Sequence, residues 1–194
     1  MENNLENKAE KSYKSGIFTS GLVEATSSIG IAFVLFALLL TFICRPVQVD
    51  GHSMNPTLID GDWLVISAGF YKPDYEDIVI ISREQTNEDP LVKRIIGLPG
   101  DEIDIDFEKG YVYRNGKRLS ENYIAELTYS QYDVEFPVTV PENCVFVMGD
   151  NRNHSSDSRV GHIGMIEFER ILGKAEVRLL PWGNFSIYSN EENA

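Results

Sequence analysis

From Ala25 to Cys44 the chain runs for twenty residues without a charge, and its densest part, Ile29 to Ile43, holds Phe33, Val34, Leu35, Phe36, Leu38, Leu39, Leu40 and Phe42. About 20 apolar residues are what a helix needs to cross the hydrocarbon core of a bilayer. Glu24 and Arg45 bracket the run. Lys8, Lys11 and Lys14 precede it, with no Arg or His. Basic residues near a span tend to stay inside, which predicts a cytoplasmic N-terminus and everything after the span outside. A cleaved signal peptide is the competing reading. The run is long for such a segment, and Phe42-Ile43-Cys44-Arg45 offers no small-x-small cleavage site. Bulky Phe42 and Ile43 also argue against a lipoprotein cysteine at Cys44. The expected organisation is a tail over 1–24, one transmembrane helix over 25–44 and an extracytoplasmic domain over 45–194.

Beyond Arg45-Pro46 the pattern changes to short runs of period two, with Val47 and Val49 alternating with polar residues. Strands are predicted at Asp62–Ser67 after the Asp60-Gly61 turn, Asp77–Ile81, Leu91–Ile96, Glu102–Asp106 and Tyr111–Tyr113. Asn115-Gly116 marks a hairpin. Further strands are predicted at Val138–Val140, Cys144–Met148 and Lys174–Leu180. Helical periodicity is scarce outside the apolar run, so the fold class is mainly β, an antiparallel β-domain behind the anchor. The formal net charge of -13 excludes nucleic acid as a partner and reads as a soluble acidic surface. The two cysteines, Cys44 and Cys144, are expected to form no bridge, since one ends the anchor and the other lies far along the chain in the globular domain.

Three segments carry chemistry. The first is Gly51-His52-Ser53-Met54-Asn55-Pro56-Thr57-Leu58, a turn with a serine beside apolar groups. The second is Leu91-Val92-Lys93-Arg94-Ile95-Ile96, followed by Gly97-Leu98-Pro99-Gly100-Asp101. Alternate residues of a strand share a face, so Lys93 points the same way as Leu91 and Ile95, and Val92 the same way as Arg94. If that face is inward, Lys93 is desolvated and its neutral amine favoured. The same residue also fits an exposed edge strand, where lysine blocks aggregation. Arg94 is the one expected to stay charged, solvated or paired. The third segment is Gly149-Asp150-Asn151-Arg152-Asn153-His154-Ser155-Ser156-Asp157-Ser158-Arg159. It reads equally as a polar loop held by Asp-to-backbone bonds and an Asp157–Arg159 pair.

Taken together and in this order behind an N-terminal anchor, these segments resemble bacterial type I signal peptidase over roughly residues 25–185. The resemblance implies a membrane-apposed β-domain and a Ser/Lys serine protease that cuts preproteins after small residues at -1 and -3. In it Ser53 is the nucleophile and Lys93 the neutral general base, later the acid that protonates the leaving amine. Ser155 orients Lys93 by a hydrogen bond. Asp157 and Arg159 form an ion pair beneath the site that Arg94 joins, with Asp150 as further support. The backbone N–H of Ser53 donates to the oxyanion. Gly51 stands where some members place a serine whose hydroxyl helps to bind the oxyanion; smaller members also have glycine there.

The resemblance further implies shallow apolar pockets shaped by Val49, Met54, Leu58, Leu91 and Val92, with the substrate added as an extended strand. No cofactor or metal is implied, and three His and two Cys show no ligand spacing. The expected partners are secretory preproteins and the lipid bilayer, with a monomer as the default. His52 and His154 each neighbour a serine, but adjacent residues diverge in direction, so a His-based triad is poorly placed. Leu179 to Tyr188, with Trp182 and Phe185, reads as a core strand or as a surface that enters the lipid interface. A membrane-tethered module that captures exported peptides without cutting them is the alternative outside enzymes.

Overall fold

The computed structural model describes residues 26–37, 44–67, 71–82 and 90–180. The tail expected over 1–24, residues 38–43 of the expected anchor and the aromatic stretch after Leu180 lie outside the described residues. Residues 26–37 are α-helical, with Ile29, Phe33, Val34, Leu35 and Phe36 exposed. Among the described residues, no helix is long and apolar enough to cross a membrane.

From Cys44 onward the described residues form strands joined by turns and irregular loops, with a single 3-10 turn at Phe168–Arg170. The strands are β1 (Cys44–Gln48), β2 (Trp63–Ser67), β3 (Ile78–Ile81), β4 (Leu91–Gly97), β5 (Glu102–Asp106), β6 (Tyr111–Arg114), β7 (Lys117–Arg118), β8 (Val138–Thr139), β9 (Cys144–Met148), β10 (Ile166–Glu167) and β11 (Ile171–Leu180). Among them, one antiparallel sheet has the order β1-β2-β11-β3-β4-β9-β10 and a second the order β7-β6-β5-β8. The fold is mainly antiparallel β, as the alternation predicts, and every strand expected from sequence is present with its ends moved by a few residues. The two-residue β10 carries no period, so nothing in the sequence marks it.

Position in the sheet explains each strand's composition. In β3 all four side chains are buried. Ile78 and Ile80 join a cluster with Val49, Met54, Leu58, Leu64, Ile66, Val92 and Ala175. Val79 and Ile81 face the other way, into a cluster with Ile95, Val145, Val147, Ile163 and Ile166. A strand covered on both faces reads as a continuous apolar run rather than an alternating one. By contrast, Glu102-Ile103-Asp104-Ile105 in β5 alternates exposed and buried. Its inward residues form a third cluster with Ile96, Val112, Val140, Phe146 and Met148, where the small sheet packs on the end of the large one.

Candidate active site

Ser53 lies in the turn that joins β1 to β2. Leu58 N–H donates to the Met54 carbonyl (3.0 Å) and Asn55 N–H to the His52 carbonyl (3.1 Å), which coils the segment into consecutive tight turns. The Met54 and Leu58 side chains drop into the first apolar cluster and pin the turn from below. Two residues of the Gly149–Arg159 loop pin it from the side. Asn151 N–H donates to the Ser53 carbonyl (3.0 Å), and Asn151 Nδ2 to the His52 carbonyl (3.0 Å). Thr57 Oγ1 donates to Asp150 Oδ2 at 2.5 Å. Thr57 and Asn151 stand inside the motifs, but no local pattern announces bonds between residues so far apart in sequence.

Gly51 has φ +90 and its N–H donates to Asp60 Oδ1 (2.8 Å). A side chain rarely adopts that backbone region. The glycine that departs from the serine of some signal peptidases is therefore the residue this turn requires.

Lys93 is 1% exposed, so the desolvated face is the correct one of the two sequence readings. Its Nζ lies 2.7 Å from Ser53 Oγ and 2.9 Å from the Val92 carbonyl oxygen. Val79 is its partner across β3. Strand β9 pairs with β4 only from Arg94 onward, with Arg94 opposite Met148. Beyond Met148 the chain leaves β9 and enters the Gly149 loop.

Arg94 is buried and paired rather than solvated. Its Nε and Nη2 donate to the two Asp150 oxygens at 2.8 and 2.7 Å, and its Nη1 to the Glu76 carbonyl at 2.8 Å. Burial disfavours the cation, but the Asp150 bonds and charge outweigh it and raise the pKa further. Arg94 does not join Asp157 and Arg159. Those two form their own buried bidentate pair, Nε to Oδ1 at 2.8 Å and Nη2 to Oδ2 at 2.9 Å. Asp157 Oδ2 also accepts the Gly149 N–H (3.0 Å), and Arg159 Nη2 donates to the Arg152 carbonyl (2.6 Å). The two arginines serve different ends of one loop: Arg94 holds its start and Arg159 shapes its interior.

Ser155 departs from expectation. It is 2% exposed, yet its Oγ has no hydrogen-bond partner among the described residues, so the expected bond to Lys93 is not formed. The reason is geometric: the Lys93 amine is turned toward Ser53 and the Val92 carbonyl. Gly149 separates Ser155 from the serine turn, and a Cβ there would strike both Ser155 Oγ and the Ser53 carbonyl oxygen. Only glycine lets the loop approach the turn this closely.

Of the pocket residues, Val49, Met54, Leu58 and Val92 share the cluster below Ser53. Leu91 does not. Alternation along β4 turns it to the opposite face, against the cluster of Val79, Ile81 and Ile95. Beside Val49 opens a cleft of about 430 Å³ lined by Val47, Gln48, Val49, Asp50, Asp60, Gly61 and Pro90. His52 and His154 are both exposed.

A sequence profile of the family described as "Signal peptidase, peptidase S26" matches residues 22–182. The chain is 40% identical over 173 residues to signal peptidase I of Bacillus licheniformis, covering 84% of this chain and 91% of that one. It is 33% identical over 189 residues to signal peptidase IB of Staphylococcus aureus, covering 89% and 96%. A crystal structure of a signal peptidase I from Enterococcus faecalis V583 is 32% identical, covering 55% of this chain and 98% of that one, with a TM-score of 0.44. The length and identity of the sequence matches settle the assignment: the chain belongs to the signal peptidase family, peptidase S26, and is a serine peptidase.

Proposed function

We propose that this chain is a membrane-bound endopeptidase that removes signal peptides from exported preproteins, with Ser53 and Lys93 as its reacting pair. The observation that carries this is the 2.7 Å approach of a fully buried lysine amine to the Ser53 hydroxyl. Desolvation disfavours the ammonium form, leaving a neutral amine able to take the serine proton as Oγ attacks the scissile carbonyl. The same nitrogen then protonates the leaving amine, and water taken up in the second half of the cycle frees the acyl group. The Ser53 turn is fixed by Asn151 and Thr57, so the nucleophile is held in place before substrate arrives. The Ser53 N–H is our choice for oxyanion donor, since Gly51 offers no side chain.

An extended peptide fits between the segment leaving β1 and the start of β4. The β4 edge before Arg94, on the side away from β3, has no strand partner among the described residues, and Pro90 faces Val47–Asp50 across the cleft. Backbone pairing would supply affinity, and the apolar floor of Val49, Met54, Leu58 and Val92 would select small residues at -1 and -3. The uncharged run at residues 25–44 would anchor the domain at the outer face of the membrane, where preproteins emerge. Ser155 remains within the site's wall, and we assign it contact with Lys93 during turnover rather than at rest.

The test is cleavage of a preprotein with an Ala-x-Ala site in detergent or lipid, with the new N-terminus of the product sequenced. The expected product begins after the second alanine. Cleavage elsewhere would point to a specialised processing protease, and binding without any cleavage to a capture module.

The pH profile follows from the burial of Lys93. Activity is expected to be low in acid and to rise as the amine loses its proton. The midpoint should lie below the ~10.4 of a free lysine, because burial lowers the folded-state value. An initial-rate profile that stays flat from pH 5 to 10 while the protein remains folded would remove Lys93 as the base.

A further inference from the structure

Between β7 and β8 the chain has no regular structure, yet residues 121–130 are tied to the Gly149–Arg159 loop along their length. Arg152 Nη2 donates to Glu121 Oε1 (2.6 Å) and its Nη1 to Thr128 Oγ1 (3.1 Å). Asn153 Oδ1 accepts the Tyr129 and Ser130 N–H groups at 2.9 and 3.0 Å, and its Nδ2 donates to the Leu127 carbonyl (3.0 Å). This strap places Tyr123 over the buried cations. The Arg94 guanidinium carbon lies 4.0 Å from the centre of the Tyr123 ring, and that of Arg152 lies 5.9 Å away.

Arg94 needs such a cover. Nε, Nη1 and Nη2 are all bonded in the plane of the guanidinium, to Asp150 and the Glu76 carbonyl. What remains open to water is the flat face, and an aromatic ring is the group that satisfies it without a hydrogen bond. Burial and the charge of Glu121 hold the Tyr123 phenol well above its ordinary range, so the ring stays neutral against the cation. The Arg94–Asp150 pair is also the joint of the site. Arg94 directly follows Lys93 in β4. Asp150 takes the Thr57 hydroxyl, and its neighbour Asn151 holds the Ser53 carbonyl. Water entering over Arg94 would loosen the link between the strand of the base and the turn of the nucleophile.

We propose that Tyr123 is a positioning residue for peptide cleavage, its ring sealing the Arg94–Asp150 joint that sets Ser53 against Lys93. This rests on the reading of Ser53 and Lys93 as the reacting pair. The ring, not the hydroxyl, does the work, and substrate does not touch it.

The test measures kcat and KM separately on a preprotein with the full chain in detergent, for Tyr123→Leu, Tyr123→Phe and Ser53→Ala. A desolvated cation–π contact is strong enough for its loss to lower kcat about tenfold, and that is the expectation for Tyr123→Leu, with KM nearly unchanged. Tyr123→Phe should retain the wild-type kcat. If the leucine variant does not fold, Tyr123→Met fills the same space more adaptably and carries the same expectation. A wild-type kcat in a folded Leu or Met variant overturns the proposal. So does a rise in KM with kcat unchanged, which would make Tyr123 a substrate contact, or a Phe variant as slow as the Leu variant. Cleavage persisting in Ser53→Ala would overturn the reacting pair itself, whatever Tyr123 does.

Discussion

Lys93→Ala is expected to lower kcat/KM for preprotein cleavage by about 10³-fold or more while the protein stays folded, because a positioned general base typically contributes ~10²–10⁴. Two companion variants separate the proton chemistry from packing. Lys93→Met keeps an unbranched stem and removes only the amine. It should be as inactive as alanine but at least as stable as wild type, since it buries no ionisable group in a site that is 1% exposed. Lys93→Arg keeps a cation that does not deprotonate, and it too should be inactive. Ser53→Ala should match them, since the lysine then has no hydroxyl to activate. Cleavage by Lys93→Met at more than a tenth of the wild-type rate, measured as product per minute under single turnover, would show that another group takes the serine proton.

The second large effect is on stability. Asp150 is fully buried, and its two oxygens receive Arg94 and Thr57. Asp150→Ala strands the Arg94 guanidinium in the interior, and breaking a buried pair from one side costs about 3–5 kcal/mol. For a domain of this size that corresponds to a fall in Tm of roughly 10 °C. Replacing both partners with apolar groups often costs little, so Arg94→Met combined with Asp150→Leu should recover most of the lost Tm. It should not recover cleavage, because Thr57 and the Lys93 strand would no longer share an anchor. If the double variant regained both stability and activity, the pair would be packing alone. If Asp150→Ala left Tm within 2 °C of wild type, the buried ion pair would not contribute as its geometry demands.

The strands were legible because β2, β5 and β6 sit where one face is covered and the other is wet, and such strands alternate. The central strands were legible for a different reason, as uninterrupted runs of Ile and Val. That same two-sided burial limited the reading of β4. Alternation separates the faces, and it turns Leu91 away from the pocket wall. It does not say that both faces are dry, so it leaves Arg94 open to solvation or pairing, and the structure decides for a buried ion pair. Ser53 and Lys93 are recognisable as residue types in a pattern, and the structure brings them together. Thr57 and Asn151 stand inside the motifs and Tyr123 outside them, but nothing local marks their partners, which lie 93, 98 and 29 residues away (Thr57 to Asp150, Ser53 to Asn151, Arg94 to Tyr123). The unbonded Ser155 hydroxyl could not be anticipated from its neighbours, since it depends on which way the Lys93 amine turns.

The place of β11 makes the proposed pair sensitive to a strand that carries neither residue. This strand, residues Ile171–Leu180, lies between β2, which closes the serine turn, and β3, which pairs with the strand of Lys93. Backbone pairing between β2 and β3 runs only through β11 among the described residues, so a substitution that weakens this strand would change the spacing of Ser53 and Lys93 without touching either residue.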